Sequence, residues 1–231
     1  MLWCIFRLEI YGRKTMINLH LGDCMTAMAE MPDKCFDLAI CDPPYQVKMT
    51  GGKSPKNGFK GIEAWDKMRT GWDKQRPKKD YFESLFRISK NQIITGGNYF
   101  TEFLPSSMGW VFWYKLQDNF SFGDGEFIFT SFHKKARIFK YGRGCESGFA
   151  PNGEPFPNIH PTQKPVALYR WLLDNYAKPG DKIFDSHLGS GSIAIACHDL
   201  GFDLEGYEID PDYYAAACDR FQRYQAQGRL F

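Results

Sequence analysis

The chain has 231 residues, a formal net charge of +2 and 43% hydrophobic residues. This length allows one large domain or two small ones with a substantial core, and the near-neutral charge excludes a global basic field for nucleic acid. Seven cysteines without a CxxC motif or a paired spacing argue against disulfides and against a metal site. Neither a membrane-spanning apolar run nor a signal-peptide pattern is present, so we expect a cytoplasmic protein without a membrane partner.

The first elements alternate between strands and helices. INLHLGD (17–23) and FDLAIC (36–41) predict strands, and CMTAMAEMPD between them predicts a short helix. Residues 1–15 precede this pattern and are either an upstream extension or an added strand. Residues 46–79 are rich in Gly, Lys and Pro, which predicts a long loop of the kind that carries binding functions.

The same alternation continues to the end of the chain. DYFESLFRISK predicts a helix and NQIITGGNYF a strand, and GWVFWYK and GEFIFTSF predict an antiparallel pair at one edge of a sheet. A helix starts at Pro165, and a later strand leads into a helix capped by Asp210 with Pro211 at its first position. We therefore predict an α/β fold: a doubly wound, mainly parallel sheet with an antiparallel edge and a small inserted region, forming one domain over residues 16–231.

A glycine-rich turn in FDSHLGSGS (184–192) suggests a nucleoside cofactor. Gly189 and Gly191 stand where a strand passes into a helix, and the free N–H groups of such a turn attract an anion. Glu208, at the end of the next strand, is placed to accept hydrogen bonds from a ribose diol. GSGSIA is also a permitted variant of the dinucleotide fingerprint, so the turn alone leaves NAD open. Asp185 favours the ammonium group of an amino acid tail, as in S-adenosylmethionine, and would repel a pyrophosphate.

The stretch CDPPY (41–45) ends an apolar strand with an acid, two prolines and a tyrosine. Two prolines fix the backbone and remove two donors, so they stop the strand rigidly. If the cofactor is S-adenosylmethionine, Asp42 and the Pro43 carbonyl can accept hydrogen bonds from an exocyclic amine, which localises the lone pair of its nitrogen. Tyr45 offers a flat face to an extruded base. The simpler alternative is a strand-ending turn with a capping Asp.

Four stretches together resemble a known family. They are LGDC (21–24), CDPPY (41–45), HPTQKP (160–165) and FDSHLGSGS (184–192). With them the chain resembles the S-adenosylmethionine-dependent DNA amino-methyltransferases, which act on adenine N6 or cytosine N4. The catalytic stretch precedes the cofactor turn, as in the permuted beta class of that family. The resemblance implies a Rossmann-like methyltransferase sheet, S-adenosylmethionine as the cofactor and double-stranded DNA as the partner.

The resemblance also implies roles for individual residues. The catalytic motif comprises Asp42, Pro43, Pro44 and Tyr45. The cofactor residues are Asp23 at the adenine, Asp185, Gly189, Ser190 and Gly191 at the amino acid tail, and Glu208 at the ribose. Thr162 and Lys164 line the methionine end, or else merely cap the helix that starts at Pro165. His187 stands where the family often has Pro or Phe, and a lone histidine on a turn receives no catalytic role.

Two basic segments are candidates for DNA contact: the loop at 46–79 and a target-recognition region at 132–159. Basic residues interleaved with aromatic ones suit phosphate contact and stacking near a flipped base, although any single lysine can belong to an ordinary solvated surface. The candidates are Lys53, Lys56, Lys60, Lys134, Lys135 and Arg137.

An acid at the first position of the tetrapeptide is more typical of the adenine enzymes of this family than of the cytosine enzymes. We therefore predict methyl transfer to adenine N6 by base flipping, with cytosine N4 as the alternative. Methylation of RNA or of a protein glutamine amide, a non-catalytic nucleotide-binding module and a dehydrogenase are further alternatives, and the last leaves CDPPY unexplained. A homodimer and a cognate restriction endonuclease stay open as partners.

Overall fold

A computed structural model describes residues 2–10, 13–45, 76–118, 123–142, 159 and 163–226. These residues form a nine-stranded sheet with helices on both faces. None of their helices has the length and apolar character needed to cross a membrane. The α/β class predicted from the sequence is confirmed.

The elements have the following bounds. The strands are β1 (Leu2–Ile10), β2 (Arg13–Leu21), β3 (Phe36–Cys41), β4 (Ser89–Thr95), β5 (Val111–Tyr114), β6 (Gly125–Thr130), β7 (Arg137–Lys140), β8 (Lys182–Asp185) and β9 (Asp203–Glu208). The helices are α1 (Cys24–Glu30), α2 (Lys79–Ile88), α3 (Val166–Tyr176), α4 (Ser192–Leu200) and α5 (Pro211–Ala226), with a 3₁₀ turn at Gly97–Tyr99.

The strand order is β1-β2-β9-β8-β3-β4-β6-β5-β7. The five strands from β2 to β4 in this order are mutually parallel, so their carboxyl ends lie along one edge of the sheet. Ligands of open α/β sheets bind at that edge, which we call the carboxyl edge. β6 pairs antiparallel with both β4 and β5, which confirms the predicted antiparallel pair.

One strand extends the sheet beyond that pair. β7 pairs parallel with β5 and lies within the range 132–159, which the sequence assigned to target recognition. Its four residues include two basic ones, and of the four only Phe139 is buried, so the sequence carries almost no apolar signal for this strand. The described part of that range is therefore joined to the main sheet.

Residues on the two faces of the sheet form two apolar cores. Leu38 and Ile40 of β3 pack with α3, α4 and α5 on one face, whereas Ala39 and Cys41 pack with α1 and α2 on the other. This alternation follows from the pleat, which points successive side chains to opposite faces. A strand buried on both sides reads as the continuous apolar run FDLAIC.

The N-terminal residues form a strand. β1 pairs antiparallel with β2 over nine residues, and Phe6 packs edge-on against Phe221 of α5 with ring centroids 4.9 Å apart. Of the two alternatives for residues 1–15, the structure has the added strand.

Helix ends match the sequence signals closely. The Asp210 carboxylate accepts hydrogen bonds from the backbone N–H groups of Asp212 (2.9 Å) and Tyr213 (3.1 Å), as a capping residue of α5 does. Gly201 ends α4 with φ +73°, a left-handed conformation that suits glycine. α3 begins at Val166 with Pro165 as its N-cap, one residue later than predicted.

Candidate active site

Asp42 lies directly after β3 at the carboxyl edge, and three neighbouring side chains donate hydrogen bonds to it. Its Oδ1 accepts from the hydroxyls of Tyr45 and Thr95 and from Lys164 Nζ at 3.0 Å. Its Oδ2 accepts from Lys164 Nζ at 2.8 Å, and no other donor to it occurs among the described residues. Oδ1 thus has three donors and Oδ2 has one, so Oδ2 keeps a lone pair for one more donor.

The Tyr45 ring is held from several sides. It stacks on Tyr99 with centroids 5.1 Å apart and planes at 15°, and Phe100 contacts it edge-on. Gly96 lies so close that a Cβ there would overlap the ring. The Tyr45 side chain is therefore half-buried and oriented, rather than freely exposed as the sequence suggested.

The Tyr45 hydroxyl reaches a second carboxylate. It donates to Glu126 Oε1 at 2.7 Å, and Lys164 Nζ lies 3.2 Å from the same hydroxyl. Burial, together with the charges of Asp42 and Glu126, raises the pKa of Tyr45 well above its ordinary value. The phenol therefore keeps its proton and can donate it to either of the two carboxylates.

Glu126 on β6 connects the tetrapeptide to two lysines. Its Oε1 lies 3.1 Å from Lys164 Nζ, and its Oε2 lies 3.2 Å from Lys115 Nζ. Burial works to raise the pKa of Glu126, but the two lysines outweigh it and lower that pKa to about 2. For Lys164, burial works to lower the pKa, and the charges of Asp42 and Glu126 raise it instead. Two carboxylates thus balance two ammonium groups, as buried charges require.

We call Asp42, Tyr45, Thr95, Glu126 and Lys164 the Asp42 cluster. Of its members, Thr95 and Glu126 were not identified from the sequence, and neither was the adjoining Lys115. The available signal was a single acid in the otherwise apolar GEFIFT, directly beyond a turn. Lys164, which the resemblance assigned to the methionine end of the cofactor, does not cap α3; its ammonium group is held by the two carboxylates.

Asp185, at the end of β8, is fully buried and only partly satisfied. Its Oδ1 accepts from the His187 backbone N–H at 3.0 Å, while its Oδ2 is buried without a hydrogen-bond partner among the described residues. Burial and the nearby charges of Asp42 and Glu208 raise the pKa of Asp185 well above its ordinary value. An unpaired buried carboxylate oxygen is costly, and a bound cation would relieve it.

The glycine-rich turn lies between Asp185 and Glu208. Gly189 and Gly191 have φ values of +51° and +72°, so the turn needs residues that tolerate the left-handed region. The Glu208 carboxylate accepts from the Gly189 backbone N–H at 2.8 Å and from that of Asp210 at 2.9 Å. Ser190 is buried, and its hydroxyl lies 3.1 Å from that of Ser192. The turn and the acid of β9 therefore form one connected unit.

His187 belongs to a buried polar group beside this turn. Its Nδ1 lies 2.8 Å from the Ser186 hydroxyl, which in turn lies 2.7 Å from the Tyr81 hydroxyl. Burial lowers the pKa of His187 to about 4, so the ring is neutral at physiological pH. These contacts give His187 a structural role in the turn.

The remaining predicted residues fall into three groups. Asp23 is exposed after β2, where its carboxylate caps α1 by accepting from the Met25 backbone N–H at 2.9 Å. Four other candidates lie outside the described residues: Thr162, Lys53, Lys56 and Lys60. The third group lies in or just before β7, the last strand of the sheet.

That third group comprises Lys134, Lys135 and Arg137, which the sequence assigned to DNA. Lys134 Nζ donates to the Asn175 carbonyl at 2.6 Å, and Arg137 Nη1 donates to the Asn175 side chain at 3.4 Å. Asn175 lies near the C-terminal end of α3, whereas the Asp42 cluster lies at its N-terminal end. The position of these residues therefore gives no support to a contact with a base held at Asp42.

Comparisons with known proteins show what the chain is similar to. Residues 133–219 match the model of the N6/N4 DNA methylase family. Type II methyltransferase M.XycI of Xanthomonas campestris pv. cyanopsidis is 35% identical over 80 residues, which are 35% of this chain and 27% of that protein. The protein named "Putative methylase YubD" of Escherichia coli is 25% identical over 90% of this chain and 92% of its own length.

Solved structures share the fold. The M1.HpyAVI–SAM complex has a TM-score of 0.55 at 20% identity and covers 89% of this chain and 100% of its own. PvuII DNA methyltransferase (cytosine-N4-specific) has a TM-score of 0.61 at 12% identity and covers 89% and 86%. These structures share the fold of this chain, and the match of residues 133–219 agrees with the resemblance to the S-adenosylmethionine-dependent DNA amino-methyltransferases.

Proposed function

We propose that this protein is a DNA methyltransferase that transfers the methyl group of S-adenosylmethionine to the exocyclic N6 of adenine. The observation that carries the proposal is the arrangement at Asp42: a rigid Pro-Pro stop, a carboxylate with Oδ2 accessible to one more donor, and an aromatic ring beside it. The match of residues 133–219 to a DNA methylase family supports the same reaction.

The cofactor side fits S-adenosylmethionine. The unpaired Oδ2 of Asp185 would accept from the ammonium of its amino acid tail, and Glu208 would accept from the ribose hydroxyls. Gly189, Ser190 and Gly191 would lie along the same tail. The cofactor supplies a methyl group already activated by its sulfonium. M1.HpyAVI, which shares the fold, was solved as a complex with SAM.

The base side consists of the tetrapeptide and its supports. Oδ2 of Asp42 and the Pro43 carbonyl would hold the two hydrogens of the target amine, which directs the nitrogen lone pair at the methyl group. A base flipped out of the duplex would stack on the Tyr45 ring. The phosphates would contact the basic loop at 46–79, where Lys53, Lys56 and Lys60 stay predictions. Lys134, Lys135 and Arg137, in or just before the outermost strand β7, stay predictions as well.

The alternative base is cytosine, with methyl transfer to N4. PvuII DNA methyltransferase, which shares the fold, is described as cytosine-N4-specific. Both bases present an amine of similar geometry, so the argument for adenine rests on the acid at position 42.

A single incubation tests both reaction and base. The full chain is incubated with S-adenosylmethionine and methylation-free plasmid, and the DNA is then digested to nucleosides and analysed by mass spectrometry. We expect N6-methyladenine. N4-methylcytosine would overturn the choice of base and keep the class. If no methylated base forms while S-adenosylmethionine binds, DNA is not the acceptor, and RNA or a protein amide becomes the next substrate to test.

Asp42→Ala should abolish the methylation while leaving the cofactor in place. Loss of a preorganised acceptor typically costs about 100-fold or more in rate. The dissociation constant for S-adenosylmethionine, measured by calorimetry, should stay within a few-fold of wild type because Asp185 and Glu208 are untouched. Asp219→Ala, which removes a carboxylate from an exposed ion pair on α5, is the control and should be fully active. Full activity of Asp42→Ala would rule out the proposed mechanism.

A further inference from the structure

The hydrogen bonds around Asp42 form a closed ring, which we call the circuit, and the role of Glu126 in it has not yet been assigned. Asp42 binds Tyr45 and Lys164, and Glu126 binds the same two groups from the other side at 2.7 and 3.1 Å. Lys164 and the Tyr45 hydroxyl are themselves 3.2 Å apart. Every donor of the circuit except Thr95 is therefore shared between the two carboxylates.

Glu126 holds the most firmly fixed position in that circuit. Asp42 and Tyr45 lie on the segment after β3, and Lys164 lies on the segment before α3. Glu126 is instead part of β6, where it pairs with Trp113 of β5, and residues further along the same strand pair with β4. The side chains of Glu126 and Lys164 are 11% and 6% exposed, so water competes little for their hydrogen bonds. Glu126 thus ties two loop segments to the rigid sheet.

The Tyr45 hydroxyl has a single proton but two carboxylates within reach. It can donate to Asp42 or to Glu126, but not fully to both at once. When a target amine donates to Asp42, the hydroxyl can keep its hydrogen bond with Glu126. Without Glu126, the hydroxyl and Lys164 would have only Asp42 as a carboxylate partner and would compete there with the amine.

We propose that Glu126 is a positioning residue for methyl transfer, which holds Lys164 and the Tyr45 hydroxyl so that Asp42 stays available to the target amine. This inference rests on the proposed function, since it concerns the same site and the same reaction. Lys115, which pairs with the outer oxygen of Glu126 at 3.2 Å, supports it by balancing the charge.

The test compares Glu126→Gln with wild type in single-turnover methylation of methylation-free plasmid. Glutamine keeps the size and one acceptor but loses the charge that binds both lysines. We expect the rate to fall about 100-fold, the effect of displacing catalytic groups by about 1 Å. The dissociation constant for S-adenosylmethionine should change less than threefold, because Glu126 does not contact Asp185 or Glu208 in the described structure. Asp219→Asn on α5 is the matched control and should behave as wild type.

A pH profile separates this role from a merely structural one. The charged and titratable groups that face Lys164 are Asp42, Tyr45 and Glu126, and Tyr169 of α3 is influenced by the same two carboxylates. Glu126 helps to raise the pKa of Lys164, whereas burial opposes it. Loss of the Lys164 proton removes the ammonium group that binds Asp42, so the rate should fall at alkaline pH as Lys164 is deprotonated. In Glu126→Gln this alkaline fall in rate, the alkaline limb, should move to lower pH, because Lys164 loses its proton more easily. A structural defect alone would lower the rate and leave the limb in place.

A second variant covers the case in which Glu126→Gln does not fold. Lys115→Gln/Glu126→Gln removes one charge of each sign and keeps the buried charges balanced, so it should fold more readily. It should show the same loss of rate and the same shifted limb. Either variant with wild-type rate and wild-type pH profile would overturn the inference while leaving the proposed function intact. If the wild-type chain itself methylates no base, the proposed function fails, and the inference fails with it.

Discussion

At the scale of single residues, Asp185 is the clearest sign of a ligand. Most buried acids satisfy both oxygens within the protein, but Oδ2 of Asp185 has no partner in the described structure. Its raised pKa means that the free protein holds a proton there at pH values where an ordinary aspartate is ionised. Pairing with an ammonium group requires the ionised form, so cofactor binding should release that proton.

Binding of S-adenosylmethionine should therefore strengthen as the pH rises towards the raised pKa of Asp185, and level off above it. The measurement is calorimetry over a pH series, repeated in buffers of different ionisation enthalpy to count released protons. Asp185→Asn should weaken binding by about 2 kcal/mol or more, as expected for loss of one partner of a buried charge pair. The same variant should also remove most of the pH dependence of binding. A smaller part should remain from Glu208, because burial raises the pKa of that carboxyl as well. Affinity that is flat with pH in the wild type would contradict this assignment.

At the scale of elements, the turn after β4 sets the position of the Tyr45 ring. Gly96 has φ +62° and begins the 3₁₀ turn that carries Tyr99, which stacks on Tyr45. A Cβ at Gly96 would overlap the Tyr45 ring, and Tyr99 and Phe100 leave the ring little freedom to move away. The glycine is therefore required both for the backbone conformation and for the contact.

Gly96→Ala should destabilise the protein and impair methyl transfer together. The left-handed conformation alone costs a non-glycine residue roughly 1–2 kcal/mol, and displacement of Tyr45 adds to it. Gly123→Ala is the matched control: its φ is +80°, but among the described residues the nearest atom to a Cβ there is 3.8 Å away. Urea denaturation should show a loss in both variants, the larger one for Gly96→Ala, and the single-turnover rate should fall only in Gly96→Ala. Equal rates in the two variants would show that Gly96 does not position Tyr45.

The elements also show which parts of the site the sequence could predict. The sequence predicts β3 with Asp42 and β8 with its turn because their signals are local. These signals are an apolar run, two prolines and the glycines of the turn. Glu126 was missed because its role depends on β6 lying beside β4, a pairing between distant parts of the chain. An acid in GEFIFT looks like an ordinary solvent-facing position of an edge strand. Asp185 was identified, but only the structure shows that one of its oxygens is unpaired.

At the scale of the whole molecule, the N-terminal strand β1 is separated from the proposed catalytic centre by other strands of the sheet. Among the described strands β1 pairs only with β2, and β9 and β8 then lie between β2 and β3, the strand that leads to Asp42. Asp185 and Glu208, the proposed cofactor acids, end β8 and β9, so the proposed site is built on the middle of the sheet. β1 covers the backbone groups of β2 and contributes Phe6 to the packing against Phe221.

A chain that begins at Met16 should therefore be less stable but catalytically competent. Removing β1 exposes the polar edge of β2, and an uncovered edge strand promotes pairing between molecules. We expect a lower urea midpoint, a smaller denaturant slope because less surface is buried, and aggregation that increases with protein concentration. The single-turnover rate per folded molecule, with folded protein counted by bound S-adenosylmethionine, should match that of the full chain. A folded truncated chain with a much lower rate would show that β1 supports the site across three intervening strands, so that the sheet transmits strain from its edge to Asp42.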